Sequence, residues 1–476
     1  MKTSFFTEKA YINGKFVSGK KKFPVVNPAN GKTIGSVPDL TVADCKKAID
    51  AAEQTWQFWK ETSIGERCKV VRGIFDLINE HKDELAEIMT KECGKPLTES
   101  LAEVDYANAF MEWFSEEGKR AYGETIPSLK GDMRLSTIKQ SVGVVAAITP
   151  WNFPLAMITR KVAPALVAGC TIIVKPASQT PFSALALAKI AELAGLPKGV
   201  LQVITSTDSR GIGKELASNP TVRKITFTGS TAVGSTLMAQ AAGTVKRLSM
   251  ELGGNAPFIV FDDADIEKAV QGAIAGKFRN AGQTCVAVNR FYIQEGVYAR
   301  FAERLTHEVK KLRIGDGMKK NIQIGPLINR AGLEKVQEHL SDAIGKGAIV
   351  SCGGNNIKDL FFEPTVLTNV SYDSLIAKEE TFGPVCALFS FKTEEQAVTL
   401  ANDTPFGLAA YFYSSNVYRC QRVAEKIESG MVGINTGMVS NASAPFGGIK
   451  QSGLGREGAK QGLEEYLTTK YICYGT

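Results

Sequence analysis

The sequence predicts an α/β protein with two open parallel sheets, helical crossovers and a small protruding β element. Three observations carry this. Short apolar strands alternate with helices of about ten residues from 142 to 242, and again after Gly253-Gly254. The stretch 121–141 loses helical period and is broken by Gly, Pro and Lys. The chain has 476 residues, 44% hydrophobic and 22% charged, so two or three domains are expected rather than one core.

The elements follow in order. Residues 1–36 read as short strands and turns, Tyr11 to Val17 and Phe23 to Pro28, punctuated by Asn-Gly. Apolar residues at three- and four-residue spacing predict helices over Ala43–Phe58, Ile64–Ile88 and Leu97–Phe114. After the 121–141 element, strands at Val142–Ile148, Thr171–Val174, Val200–Ile204 and Lys224–Phe227 alternate with helices at Leu155–Val167, Ser183–Ala194, Gly211–Ser218 and Ala232–Ala242. The second unit has strands at Pro257–Val260, Arg290–Gln294 and Ala348–Ser351. Its helices are Ile266–Phe278, Val297–Leu312, Arg330–Lys346 and Glu394–Ala401. Tyr466–Tyr474 reads as a strand that pairs with the 121–141 element or with another subunit.

Composition excludes several functions. The +7 net charge is interspersed, with no basic stripe beyond Lys20-Lys21-Lys22, which argues against a nucleic-acid partner. No apolar run of about 18 residues occurs and no secretory leader opens the chain, so no membrane partner is expected. Nine scattered cysteines without Cys-x-x-Cys fit a reducing, cytoplasmic compartment and no metal. His81, His307 and His339 lie in charged helical runs and read as surface residues. Any base is therefore a carboxylate or lysine.

The candidate nucleophile is Cys285, in Gly282-Gln283-Thr284-Cys285, with Glu251 thirty-four residues upstream as the candidate base. A cysteine alone more often is a buried structural thiol. Asn152, in Thr149-Pro150-Trp151-Asn152-Phe153-Pro154, either donates to an oxyanion or caps the following helix. Lys175-Pro176-Ala177-Ser178 ends a strand where Lys and Ser can meet ribose or phosphate, or simply water. Thr228-Gly229-Ser230 to Gly234 is a strand, a tight turn and a helix start, a geometry that suits phosphate. Arg160 and Arg279 flank the nucleophile's neighbourhood and suggest a bound carboxylate; surface salt bridges are the commoner fate of arginine.

Together these segments resemble the aldehyde dehydrogenase superfamily over nearly the whole chain. Glu251-Leu252-Gly253-Gly254, Glu380-Thr381-Phe382-Gly383-Pro384 and Pro445-Phe446-Gly447-Gly448 join the motifs above, in order. Ile158 to Lys161, Lys277 to Asn280, Asn435 to Gly437 and Lys450 to Gly458 look most like its bacterial branch acting on semialdehydes that carry a carboxylate. The resemblance implies two Rossmann-like domains plus an oligomerisation arm. The cofactor domain is 1–120 with 142–252, the catalytic domain 253–454, and the arm 121–141 with 455–476. It implies a homo-oligomer, dimer or tetramer.

It also implies roles. Cys285 attacks the aldehyde, the Asn152 side chain and the Cys285 N–H hold the oxyanion, and Glu251 activates the water that hydrolyses the thioester. Thr149, Trp151, Lys175, Ala177, Ser178, Gly229, Ser230, Gly234, Leu252, Glu380 and Phe382 are carried over as the cofactor site. Arg160, Arg279, Ser440 and Phe153 are carried over as the substrate site. Where NAD-preferring members often carry Glu, this chain has Ser178, which removes a charge that repels a 2′-phosphate. NADP is thus preferred, with NAD possible. Ala287 stands where some relatives have a second cysteine, so no disulfide switch is expected at Cys285. The rivals are a dehydrogenase of another small aldehyde, a CoA-acylating relative, a cofactor-free cysteine hydrolase and a catalytically silent structural relative. Glu251, the nucleotide motifs and the intact trio Cys285, Glu251 and Asn152 weigh against the last three.

Overall fold

The computed structural model describes residues 5–475; the opening Met1–Ser4 lies outside them. Tyr11 to Val17 forms the expected hairpin. Asn13 and Gly14 both take positive φ (49° and 69°), which a two-residue turn between twisted strands demands. Its strand Ala10–Ile12 joins, antiparallel, an eight-stranded sheet.

The centre of that sheet is parallel, in the spatial order Leu201–Val203, Thr171–Lys175, Val144–Ile148, Val222–Thr228, Arg247–Glu251. The chain starts at Val144–Ile148 and runs first to one side, then to the other. The strand order therefore reverses between Val144–Ile148 and Val222–Thr228. A crevice opens outside the carboxyl ends of strands at such a reversal, where their loops diverge. Gly453–Leu454 closes the far edge, antiparallel to Arg247–Glu251. The central strands Val144–Ile148 and Thr171–Lys175 are almost wholly buried, because helices cover both faces.

The second sheet has seven strands. Six are parallel, in the order Thr365–Thr368, Val385–Phe391, Val288–Gln294, Ala256–Val260, Ala409–Tyr413, Met431–Ile434, and Ile349–Cys352 adds an antiparallel edge. Each sheet has its own apolar core. Met133–Ser141 pairs antiparallel with Leu467–Gly475 along nine residues, and Thr125–Ile126 extends the pair to three strands. The C-terminal strand thus pairs within its own chain.

Two helical expectations change. Ile64–Ile88 is two helices, Ile64–Glu80 and Lys82–Cys93, broken at His81, whose ring packs on Phe5 at 4.6 Å. The buried residues Ile74, Ile78, Leu85 and Met89 keep a helical spacing across the break, so the period hides it. His339 is not a surface residue. It is buried, its Nδ1 lies 3.1 Å from Thr381 Oγ1, and its Nε2 lies 3.6 Å from Glu379. The charged neighbours on its helix face outward while its own face packs on the 379–383 segment. No helix among the described residues is long and apolar enough to cross a membrane.

Candidate active site

The loop that presents Cys285 is unusual backbone. Helix Ile266–Phe278 ends and Asn280, Ala281 and Gly282 all take positive φ (50°, 54°, 77°). Asn tolerates this conformation and Gly prefers it, but Ala281 pays about 1–2 kcal/mol. Gly282 is required sterically: an added Cβ would stand 2.2 Å from the Gly383 carbonyl oxygen. The surroundings hold the loop in place. Asn280 N–H donates to Glu99 Oε2 (2.7 Å), and its side chain donates to the Asn152 carbonyl (3.0 Å). The Gln283 side chain accepts from Ile328 N–H (2.9 Å) and donates to the Asn280 carbonyl (3.0 Å). Strain this well tied down is typical of functional loops.

Asn152 is not a helix cap. Helix Ala156–Ala168 has its first N–H groups taken by Glu103, whose Oε1 accepts from Leu155 (3.0 Å) and Ala156 (3.2 Å). Glu103 is paired with Lys95, both fully buried. Lys95 Nζ in turn donates to the Asn152 carbonyl at 2.7 Å. The Asn152 amide itself donates to the Gln283 carbonyl (3.0 Å), which ties it to the nucleophile loop. Two N–H bonds radiate from that amide nitrogen, so one remains for a ligand.

Glu251 ends the strand Arg247–Glu251 and is buried, with neither carboxylate oxygen hydrogen-bonded among the described residues. It stands behind Gly447: a Cβ there would lie 3.0 Å from Oε1. Burial and the nearby Glu457 push its pKa well above the ordinary value, while Arg160, Lys161 and Arg456 oppose them. Glu457 binds both Arg160 and Lys161 in a buried cluster. The thiol of Cys285 is likewise pushed up, to about 11, chiefly by burial.

A cavity of about 540 Å³ runs from Cys285 and Asn152 along the crevice at the strand reversal. Trp151 meets Phe382 edge-on at 5.7 Å across it. Thr228, Gly229, Ser230, Leu252, Glu380 and Phe382 line it. Glu380 accepts from Gly254 N–H (3.3 Å), and burial lifts its pKa to about 7. Helix Thr231–Ala241 begins at Ser230 with no side-chain cap, so its first-turn N–H groups face the cavity end uncapped. Gly234 lets that helix approach Leu252, where an added Cβ would come within 2.4 Å.

A second cavity shares the wall Ile328-Asn329 and reaches Ser178 and Thr207. Lys175 is buried rather than solvated. Its Nζ bonds Ser209 Oγ (3.1 Å) and the Pro176 carbonyl (3.2 Å), and burial lowers its pKa to about 8. Ala177 and Ser178 are half-buried beside it, and Thr149 is buried, its N–H donating to the Lys175 carbonyl (3.2 Å). An elongated double cavity with an uncapped helix N-terminus and a carboxylate at separate stations, and a buried lysine behind Ser178, fits a dinucleotide. No carboxylate occupies position 178.

The opposite side of Cys285 is a smaller cavity lined by Phe153, Arg160, Arg279, Ser440, Phe446 and Tyr106. Arg160 is buried over the Phe446 ring (4.6 Å), and its Nη1 has no hydrogen-bond partner among the described residues. Arg279 lies over Phe153 at 5.0 Å and makes no ion pair within 4 Å among the described residues. Neither arginine forms a surface salt bridge. Cys285 thus lines both cavities: Arg160, Arg279 and Ser440 stand with it in the smaller one, and Asn152, Trp151, Gly229, Ser230, Leu252, Glu380 and Phe382 in the larger. Lys95, Glu99, Glu103, Asn280 and Glu457 were not singled out from the sequence. Lys95 and Glu103 pair across eight residues, while Glu99 meets Asn280 and Glu457 meets Arg160 only across long sequence distance.

Comparison with known proteins agrees with this geometry. The family model described as the aldehyde dehydrogenase family matches residues 16–472. The chain is 55% identical to the succinate-semialdehyde dehydrogenase (NADP+) GabD of Escherichia coli, with 99% of each chain covered. It is 54% identical to a glutarate-semialdehyde dehydrogenase of Pseudomonas aeruginosa, covering 99% of this chain and 98% of that one. The crystal structure of succinate-semialdehyde dehydrogenase from Burkholderia pseudomallei superposes with a TM-score of 0.99 at 54% identity, over 100% of both chains. From the matched residues, the double cavity at the strand reversal and the loop that presents Cys285, the chain belongs to the aldehyde dehydrogenase family.

Proposed function

We propose that this chain oxidises succinate semialdehyde, or its one-methylene-longer homologue glutarate semialdehyde, to the dicarboxylate, with NADP preferred over NAD. The observation that carries the substrate is the pair Arg160 and Arg279 beside Cys285, one with a buried partnerless Nη1 and one without an ion pair. Uncompensated buried donors are costly, and an anion satisfies them. The names of the similar proteins support the same reading. Lys175 beside Ser178, with no carboxylate at 178, supports NADP.

The roles follow. Cys285 Sγ as thiolate attacks the aldehyde carbon. The new oxyanion takes the spare N–H of Asn152 and the N–H of Cys285. NADP, when bound, supplies the hydride acceptor that converts the adduct on Cys285 to a thioester. Trp151, Thr149, Gly229, Ser230, Gly234, Leu252, Ala177, Glu380 and Phe382 line or support its cavity, and Lys175 with Ser178 meets the adenosine end. Glu251 removes a proton from the water that hydrolyses the thioester. Burial and Glu457 raise its pKa, which makes it a stronger base than a free carboxylate. Arg160, Arg279 and Ser440 hold the distal carboxylate, with Phe153 beneath Arg279. Residues 1–120 with 142–252 form the cofactor domain in this reading, 253–454 the catalytic domain, and 121–141 with 455–476 the arm of a cytoplasmic homo-oligomer. Exposed Met133, Ile138, Tyr471 and Tyr474 on the arm support the last point.

The test is Arg279→Ala, with KM measured for succinate semialdehyde and for butanal. The expected result is a rise of about 10²-fold for the semialdehyde, the loss of a charge-assisted pair, and little change for butanal. Equal effects on both would refute a carboxylate clamp.

A further inference from the structure

Helix Leu97–Glu117 packs against helix Ala156–Ala168 and supplies Glu99 and Glu103 to the site. One turn further along, it presents Tyr106. The ring meets Phe110 edge-on at 5.0 Å, and the hydroxyl is sealed from solvent, with the Ser440 hydroxyl as its neighbour and no well-formed hydrogen bond among the described residues. It lines the small cavity that also holds Arg160, Arg279, Ser440 and Cys285.

The chemistry of this group is lopsided. Both guanidiniums are donors only, and a phenol and a serine hydroxyl can each donate. Burial raises the Tyr106 pKa, against the charges of Arg160 and Arg279 and the hydroxyl contact with Ser440, so the phenol stays protonated through the neutral range. Donors converge here while acceptors are scarce. A carboxylate offers about four lone-pair sites and no donor, the complement of this set. A buried hydroxyl whose one polar neighbour is another hydroxyl disfavours the empty state, and the protein tolerates it where a ligand supplies the acceptor.

We propose that Tyr106 is a substrate-specificity residue whose hydroxyl donates to the distal anionic group of the substrate, as a fourth donor beside Arg160, Arg279 and Ser440. This rests on the semialdehyde reading above. The helix that carries Tyr106 also fixes the nucleophile loop through Glu99 and the Asn152 segment through Glu103 and Lys95. The distance from Cys285 to the hydroxyl is therefore set by one rigid element.

The experiment compares Tyr106→Phe with the parent enzyme on succinate semialdehyde and on butanal, and records melting temperature with and without succinate. The expected result is a rise in KM for the semialdehyde of about tenfold or more, the range for a hydrogen bond to a charged group. The ratio of kcat/KM between semialdehyde and butanal falls by the same factor. Without ligand the variant melts close to the parent, because the hydroxyl gives up only a weak contact with Ser440, and succinate stabilises it less. An unchanged ratio overturns the proposal, as does a lowered melting temperature with equal losses on both substrates. Arg279→Ala separates the two levels: if it discriminates and Tyr106→Phe does not, Tyr106 alone is misassigned. If neither discriminates, the carboxylate reading falls as well.

Discussion

Cys285 illustrates what single residues do and do not reveal. Its thiol is raised to about 11 by burial. Arg160 and Arg279 draw it down, and Glu380 and Glu251 push it up. A thiol with a raised pKa is protonated below that value, so the thiolate fraction grows about tenfold per pH unit until about 11. Iodoacetamide inactivation of the cofactor-free enzyme should therefore accelerate steadily from pH 7 to pH 10; a plateau below pH 8 would contradict this. In Glu251→Gln that rate should hold within about threefold, while steady-state turnover falls about 10²–10³-fold after an initial burst of reduced nicotinamide. Slowed alkylation without a burst would make Glu251 the base for the thiol instead. Cys285, Glu251 and Asn152 each sit in a short motif that singles them out in the sequence, and the fold brings Cys285 and Asn152 to one cavity. Tyr106 and Glu457 were not singled out, because each lies in an ordinary helical or loop run and acquires meaning only from partners such as Arg160, 54 and 297 residues away in the chain.

Among the elements, strands and crossovers of the first sheet were readable because buried parallel strands are short apolar runs with turn signals at both ends. Arg247–Glu251 escaped, since its Arg-Leu-Ser-Met-Glu pattern has no apolar run, and it is a strand only because Val222–Thr228 offers it a parallel partner. The split at His81 escaped because the buried spacing continues through it. The nucleophile loop also escaped: two of its three left-handed residues are not glycine, and tertiary hydrogen bonds rather than local preference impose the conformation. Gly282→Ala tests that account. The added Cβ meets backbone at 2.2 Å on a residue with φ of 77°. Urea unfolding should show a loss of about 3 kcal/mol or more, and kcat should fall at least about 10²-fold, as a misplacement near 1 Å costs. A variant of normal stability and activity would show that the loop is not held as described.

At the scale of the molecule, two sheets of opposite duty face one crevice. The first contributes the strand reversal, the uncapped helix start at Ser230 and Glu251. The second contributes the loop of Cys285 and the Glu380 segment. Alternating strands and helices made most of the first sheet legible and the second only in part, since Thr365–Thr368, Val385–Phe391, Ala409–Tyr413 and Met431–Ile434 were not expected as strands, while the arm was half legible. Its strands were visible, but their pairing was fixed by nine residues of register between segments more than 300 residues apart. The central claim is that this crevice oxidises a semialdehyde bearing a carboxylate, with NADP. The direct measurement is reduced-nicotinamide absorbance with succinate semialdehyde, NADP and NAD in turn, and butanal as the neutral control. The account predicts a higher kcat/KM with NADP than with NAD, and with succinate semialdehyde than with butanal. Preference for NAD would discard the Lys175–Ser178 argument, and turnover of butanal with none of the semialdehyde would contradict the account of the site itself.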